Sequence, residues 1–177
     1  FKTFADFFSA YETQLRFLIG QAVEFNNLLA DIHARQRPTP FLSAMMTGPV
    51  EKAADITRGG AVYNTSGTSN IGLADVVDSL LVVRRLVFED KTVSFDRLKA
   101  AIDADFKTDP ALAAIIAKQV PRFGSGDPGA LRMANRVARL VQAIHREHTN
   151  FRGGPYTTGC WSMSQHLAYG SLSGALP

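Results

Sequence analysis

Cysteine is almost missing from this chain. Cys160 is the single one in 177 residues, which excludes an internal disulfide framework and suits a reducing compartment. No apolar run reaches the roughly 18–20 residues that span a bilayer, and no basic-then-apolar leader opens the sequence, so a soluble, cytoplasmic protein with no membrane partner is expected. An excess of one charge sign is also lacking. Lys and Arg number 19 against 16 acids, and the net charge of +3 is too small and dispersed to imply a nucleic-acid partner. Internal repeats and low-complexity linkers are absent. With 46% hydrophobic residues, the chain is long enough for one buried core. It begins at Phe1, not at methionine, and ends in SGALP, so it is expected to be an excerpt of a longer polypeptide.

What is present is mostly helical periodicity. From Phe4 the positions Phe8, Tyr11, Leu15, Leu18, Ala22, Phe25, Leu29 and Ile32 alternate steps of three and four. With Thr3 and Asp6 spaced as a capping pair, they predict a long amphipathic helix ended by Pro38 and Pro40. Phe7, Ile19, Val23 and Leu28 widen the stripe beyond a coiled-coil seam and favour a domain core. Short helical segments follow through Met46 and from Pro49 to Ile56, and Ala61 to Tyr63 reads as a brief buried strand. Leu73, Val76, Val77, Leu80, Leu81, Val87 and Phe88 mark a second strong helix, with Asp75 and Asp78 near its positive end. Ser94 is placed to cap a third, carrying Phe95, Leu98 and Ile102, and Pro110 opens a shorter one with Leu112, Ile115 and Ile116. Asp127 and Pro128 start the last long helix, whose inward face is Leu131, Ala134, Val137, Val141 and Ile144. After the break at Arg152 to Gly154, Trp161 and Met163 alternate with Ser162 and Ser164, a period suited to a half-buried strand from Cys160 to Ser164.

The stretch most suggestive of chemistry is Gly59 to Leu80, GGAVYNTSGTSNIGLADVVDSL. Its glycines permit close backbone approach, and Tyr63, Asn64, Thr65, Ser66, Thr68, Ser69 and Asn70 supply hydrogen-bonding groups, as a pocket lining requires. A tight structural turn is the competing explanation. Other patterns carry less. Gly67 and Gly72 match the outer glycines of a phosphate-binding loop, but Leu73 and Ala74 stand where a Lys and a hydroxyl are needed. Gly124, Gly126 and Gly129 fit a dinucleotide turn in bare spacing, yet they follow a helical run and not a strand, which favours a surface loop leading into a helix. His145 and His148, with Glu147 between them, are three apart where helical zinc pairs are four apart, so a partly solvated helix end is expected and no metal ligands are assigned. Cys160 with His166 suggests a nucleophile and base, but a lone thiol beside Trp161 is more often packing, and no catalytic residue is assigned. Arg132, Arg136, Arg139 and Arg146 form one stripe, read as a solvated or ion-paired face, with binding of an acidic or nucleic-acid partner the lesser alternative.

The order GGA-x-YN from Gly59 to Asn64, a small polar loop, and a helix of ADxxDSL type from Ala74 to Leu80 resembles the pyruvate formate-lyase-like glycyl radical enzymes. LVFE from Leu86 to Glu89, the loop Phe123 to Asp127, and RGGPYTTGCWSMSQHLAYG from Arg152 to Gly170 follow in the order of that family's C-terminal half. The resemblance implies an α/β fold, part of a ten-stranded α/β barrel wrapped by helices, mostly helical here with short buried strands. Residues 1–177 would form a partial barrel domain. It further implies anaerobic radical cleavage or addition on a small organic substrate, by a lyase or an acyltransferase-like enzyme. A glycyl radical installed by a radical S-adenosylmethionine activase would serve in place of a bound cofactor, and a homodimer is expected of the longer enzyme. Neither the Gly-Cys-x-Glu-type thiyl motif nor the Arg-Val-x-Gly-Tyr-type radical motif occurs in this chain, which therefore matches the stretch between those loops and is expected to be inactive alone. Asn64, Thr65 and Ser66 would line the substrate cavity. The NTSGTSN loop departs from the FTGPQ-like version of the dehydratases, and WSMS lies closer to the decarboxylase and fumarate-adding members, so the reaction subtype stays open. A helical interaction module, or an inactive remnant binding a protein or acidic partner, is the rival reading.

Overall fold

Helix α1 (Phe4–Gln36) starts where the sequence places it, because Thr3 Oγ1 accepts from Asp6 N at 3.2 Å and Asp6 Oδ2 accepts from Thr3 N at 2.9 Å. The computed structural model describes residues 1–161. After α1 come α2 (Pro40–Ala44), α3 (Pro49–Lys52), a 3-10 turn (Ile56–Arg58), strand β1 (Ser66–Asn70) and α4 (Leu73–Val82). A π-helical turn (Val83–Glu89), α5 (Phe95–Asp103), α6 (Pro110–Gln119), α7 (Pro128–Arg146) and strand β2 (Tyr156–Cys160) complete the order. The expected caps at Ser94 and Asp127 are in place, with Ser94 Oγ accepting from Arg97 N and Asp127 Oδ1 from Ala130 N, and Asp109, which the sequence reading did not name, caps α6 through Oδ1 accepting from Leu112 N.

The chain divides into two compact units. One holds Phe1–Ser9, Asn70–Arg139 and, at the end of the described residues, Cys160 and Trp161. Its core includes Val77, Leu81, Leu86, Leu98, Leu112, Ile116, Met133 and Val137, all buried. Phe1, Phe4, Phe7, Phe88 and Phe95 form an aromatic cluster, with Phe7 and Phe95 centroids 5.5 Å apart, and the Arg136 guanidinium lies 3.5 Å from the Phe8 ring centroid. The other unit holds Ala10–Ser69 and Leu140–Gly159, with Ile19, Val23, Ile144 and Tyr156 at its core against Leu15, Leu140 and Val141.

The two strands pair with each other. Ser66 N donates to Pro155 O and Trp161 N to Asn70 O, so residue numbers rise together on both strands and the pair is parallel. The expected strand at Ala61 to Tyr63 does not form. Lys52 Nζ and Asn64 Nδ2 both take the Ala61 carbonyl, at 2.8 and 2.9 Å, in place of a ladder partner, and Tyr63 is 89% exposed. The strands that do form are not buried runs either: β1 alternates half-buried with exposed, and only Tyr156 in β2 is buried. The strand expected from Cys160 to Ser164 ends at Cys160, with Trp161 exposed; Ser162, Met163 and Ser164, like His166 and the rest of the segment to Gly170, lie outside the described residues.

Two helix faces also differ from expectation. On α1, Leu18, Phe25, Leu29 and Ile32 are exposed, and the buried line is Phe8, Ile19, Val23 and Ala34. Steps of eleven and four each return within about 40° at ~100° per residue, so this line holds one face along the helix while the three-and-four series drifts off it. On α7 Leu131 is exposed, and Ala130 and Met133 take the inward places. The run from Leu73 to Phe88 is not one α-helix. From Val83 to Glu89 the backbone is π-wound, which brings residues five apart together: Arg84 pairs with Glu89 and Arg85 with Asp90, each at 2.7 Å. Leu86, fully buried within that turn, should be costly to truncate. Leu86→Ala should lower unfolding free energy by about 2–5 kcal/mol in urea titrations of this chain, against about 0.5 kcal/mol or less for Leu131→Ala.

Candidate functional site

The segment from Asp55 to Ser66 is shaped by side chains that bind backbone. Asp55 caps the 3-10 turn: Oδ1 accepts from Thr57 N at 2.9 Å, Thr57 Oγ1 at 2.6 Å and Thr39 Oγ1 at 3.2 Å. Its Oδ2 accepts from Ser43 Oγ at 2.8 Å and Thr39 N at 2.9 Å. The Thr57 hydroxyl, then Thr57 N–H, Ser43 Oγ and Thr39 N–H, hold the carboxyl well below the usual carboxylate range against an opposing desolvation. One carboxylate thus ties α2, the 3-10 turn and the end of α1's connection together. Gly60 follows, where a Cβ would stand 1.9 Å from Ala54 O. Only glycine fits there.

Each of the three expected site residues has a defined place. Asn64 Nδ2 donates to Ala61 O at 2.9 Å and Gly59 O at 3.2 Å, so its amide spans the loop's own backbone. Thr65 is exposed, and its carbonyl accepts from Arg152 Nη2 at 3.4 Å. Ser66 Oγ accepts from Asn150 Nδ2 at 2.9 Å and Arg152 Nη2 at 3.2 Å. All three are drawn together by the turn from Asn150 to Gly154.

Asn150 organises that turn and was not singled out by sequence reasoning. It is 5% exposed; its Oδ1 accepts from Arg152 N and Gly154 N, both at 2.9 Å, and its Nδ2 donates to Asn64 O as well as to Ser66 Oγ. Its own N–H donates to Gly154 O at 2.8 Å. The Asn-x-x-Gly-Gly spacing was the available signal, since an Asx turn bonds two residues onward. Gly154 completes the contact, because a Cβ there would stand 2.1 Å from Asn64 O. Beneath the turn, Tyr156 is buried, with its hydroxyl donating to Asn27 Oδ1 and accepting from Asn26 Nδ2, each at 2.8 Å.

The remaining candidates fall elsewhere. His145 is not a solvated helix end. It is 5% exposed, and its Nδ1–H donates to the acceptor-only carbonyl of Val141 at 2.8 Å, which a helix carbonyl one turn back permits. Among the described residues no three His, Cys, Asp or Glu side chains gather as a metal site. Cys160 is an exposed free thiol at the end of β2. Gly124 and Gly126 lie in the loop between α6 and α7, tied by Phe123 N donating to Asp78 Oδ1 at 2.7 Å. Arg132, Arg136, Arg139 and Arg146 are exposed. Among the described residues no helix is long and apolar enough to cross a membrane.

Residues 1–170 match the family model for pyruvate formate lyase-like proteins. The chain belongs to that family. Among glycyl radical relatives, it is 29% identical over 180 residues to trans-4-hydroxy-L-proline dehydratase from Clostridioides difficile, covering all of this chain and 22% of the relative. It is 27% identical over 187 residues to isethionate sulfite-lyase from Desulfovibrio desulfuricans, with the same coverage. The glycerol-bound structure of the B12-independent glycerol dehydratase from Clostridium butyricum superposes with a TM-score of 0.93 at 32% identity, over 100% of this chain and 22% of that one. The chain thus spans about a fifth of the length of these family members, and all the family relatives named are dehydratases or lyases.

Two changes probe the site's scaffold. The folded pKa of Asp55 is depressed, so its contribution is full above the unfolded carboxylate value of ~3.9 and is lost as pH falls from there through the folded value. Asp55→Asn should therefore lower the melting temperature at pH 7 and show a shallower loss than wild type below about pH 4, read from thermal melts across that range. Gly154→Ala should cost about 1–3 kcal/mol by forcing the turn off Asn64. A melting temperature equal to wild type would contradict that close approach.

Proposed function

We propose that this chain is the portion of a glycyl radical enzyme between the thiyl cysteine loop and the radical glycine loop, and that it supplies one wall of the substrate cavity. The observation that carries this is the parallel β1–β2 pair with the Asn64–Ser66 loop locked at its start. Two short parallel strands do not make a sheet that stands alone; parallel sheets are covered on both faces and continue into further strands, as in an α/β barrel. Membership of the family and the 22% span of its relatives support the same reading.

In the full-length enzyme a glycyl radical, installed by a radical S-adenosylmethionine activase, supplies the radical chemistry through a cysteine. Neither loop motif lies in this sequence, so its own residues bind and orient. Asn64, Thr65 and Ser66 face a small organic substrate in a barrel interior poor in water, where fixed donors and acceptors are worth most. The reaction is a dehydration or a related carbon–heteroatom lysis, in keeping with relatives that carry out hydroxyproline dehydration and isethionate cleavage. A cytoplasmic homodimer served by an activating enzyme completes the reading.

The 177-residue chain alone should give no organic-radical resonance signal after anaerobic treatment with a competent activase. In the full-length enzyme, Asn64→Ala should reduce turnover per radical by roughly 5- to 150-fold, the kinetic equivalent of losing about 1–3 kcal/mol from a buried hydrogen bond. Arg139→Ala, at an exposed position, should leave it unchanged. Equal turnover and radical yield for Asn64→Ala and wild type would return the loop to a structural turn.

A further inference from the structure

The two ends of the Asn150 amide serve different parts of the fold. Its orientation is fixed, because the backbone N–H groups of Arg152 and Gly154 can only donate and must face Oδ1. That acceptor end belongs to the turn from Asn150 to Gly154, and the turn has further supports. Asn150 N donates to Gly154 O at 2.8 Å and Gly153 N to Asn150 O at 2.9 Å. From α1, Asn27 Oδ1 accepts from Phe151 N at 2.9 Å and Asn27 Nδ2 donates to Thr149 O at 3.0 Å. The donor end leaves the turn altogether. Nδ2 gives one hydrogen to Asn64 O and the other to Ser66 Oγ, 86 and 84 residues away in sequence. Asn64 O is thereby drawn toward the turn, and in a trans peptide the Thr65 N–H points the opposite way, so one bond sets the plane of the whole Asn64–Thr65 peptide. Gly154 packs on that same peptide, since a Cβ there would stand 2.1 Å from Asn64 O and 3.1 Å from Thr65 N. At Ser66, Asn150 Nδ2 and Arg152 Nη2 both donate to Oγ, at 2.9 and 3.2 Å, which orients the hydroxyl.

We propose that Asn150 is a positioning residue for the radical reaction: through Nδ2 it holds the Asn64–Thr65 peptide and Ser66 Oγ in their reactive orientation without touching substrate itself. The role rests on the cavity-wall reading of Asn64–Ser66 and adds the residue that fixes that wall. Rate is sensitive to such placement, because a shift of about 1 Å at a positioning group can cost on the order of 10²-fold. Asn150 is 5% exposed, and flipping its amide would face Nδ2 toward two backbone N–H groups, so the donor end has one orientation. The two ends can be separated by one substitution. Asn150→Asp keeps an acceptor for Arg152 N and Gly154 N, and Ser66 Oγ–H can turn to donate to the second carboxylate oxygen. That oxygen, however, meets Asn64 O acceptor to acceptor and repels it. The turn is kept and the wall peptide is released.

The test uses the full-length enzyme, activated anaerobically, with radical content measured by electron paramagnetic resonance and rates expressed per radical. Asn150→Asp should keep the wild-type radical yield and lose kcat by roughly 5- to 150-fold, the rate equivalent of one buried hydrogen bond, with KM changed less than kcat. Adding Ser66→Ala to Asn150→Asp should cost less than the product of the two single losses, because both disturb one contact. An unchanged kcat per radical in Asn150→Asp would overturn the positioning role. So would a loss confined to KM or to radical yield, or losses that multiply in the double variant. Should Asn150→Asp carry no radical, Asn150→Ala takes its place with the same expectation, and failure of both to give radical-bearing enzyme would make the residue structural and end the proposal. Asn64→Ala tests the wall independently. Its turnover loss beside an unchanged Asn150→Asp removes the positioning role alone, whereas wild-type turnover in both removes the wall as well.

Discussion

The arrangement around the candidate site depends on one buried amide. Asn150 joins segments 84 to 86 residues apart in sequence, holding the Asn64 carbonyl and the Ser66 hydroxyl with one end and two backbone N–H groups of its own turn with the other. A buried amide with every hydrogen and lone pair engaged is expensive to disturb, since breaking one bond leaves a group unsatisfied away from water. That cost is what allows an exposed-looking, small-residue loop to keep one geometry. The missing side chain at Gly154 lets the two backbones approach closely enough for the amide to reach both.

Around this clamp the chain uses local capping wherever backbone would otherwise be orphaned. Asp55 accepts five hydrogen bonds from Thr39, Ser43 and Thr57, so the irregular path between α1 and β1 is tied down without a regular element longer than five residues. Ser43 Oγ in turn accepts from Ile56 N at 3.0 Å. The same logic places Asn27 and Asn26 on the Tyr156 hydroxyl, joining α1 to the strand that follows the clamp. Polar networks of this kind fix a unique conformation only when complete, and among the described residues no buried side-chain nitrogen or oxygen lacks a partner.

Phe17 and Phe25 on α1, Phe41 on α2 and Met45 just after it are each more than 60% exposed. Scattered apolar exposure is ordinary, but a stripe of this size along one helix and its successor is not. In a chain spanning 22% of its relatives' length, such a stripe accords with burial against the remainder of a larger fold.

What the sequence determined by itself is local. The starts of α1, α5, α6 and α7 follow from capping residues and prolines whose bonding partners lie within four positions, and the family membership follows from GGA-x-YN and ADVVDSL read in order. Asn64 to Ser66 could be singled out as a polar loop for the same reason. Tertiary structure decided the rest, because it depends on partners far along the chain. Which face of α1 is buried was set by what packs on it, and an apolar stripe wider than one face leaves that choice open. The strand formed at Ser66–Asn70 and not at Ala61–Tyr63 because Lys52 and Asn64 take the Ala61 carbonyl while Pro155 offers its own to Ser66. Asn150 became the centre of the site through contacts with Asn64 and Ser66 that no periodicity encodes, since the meeting of two loops is a property of the folded backbone and not of either segment.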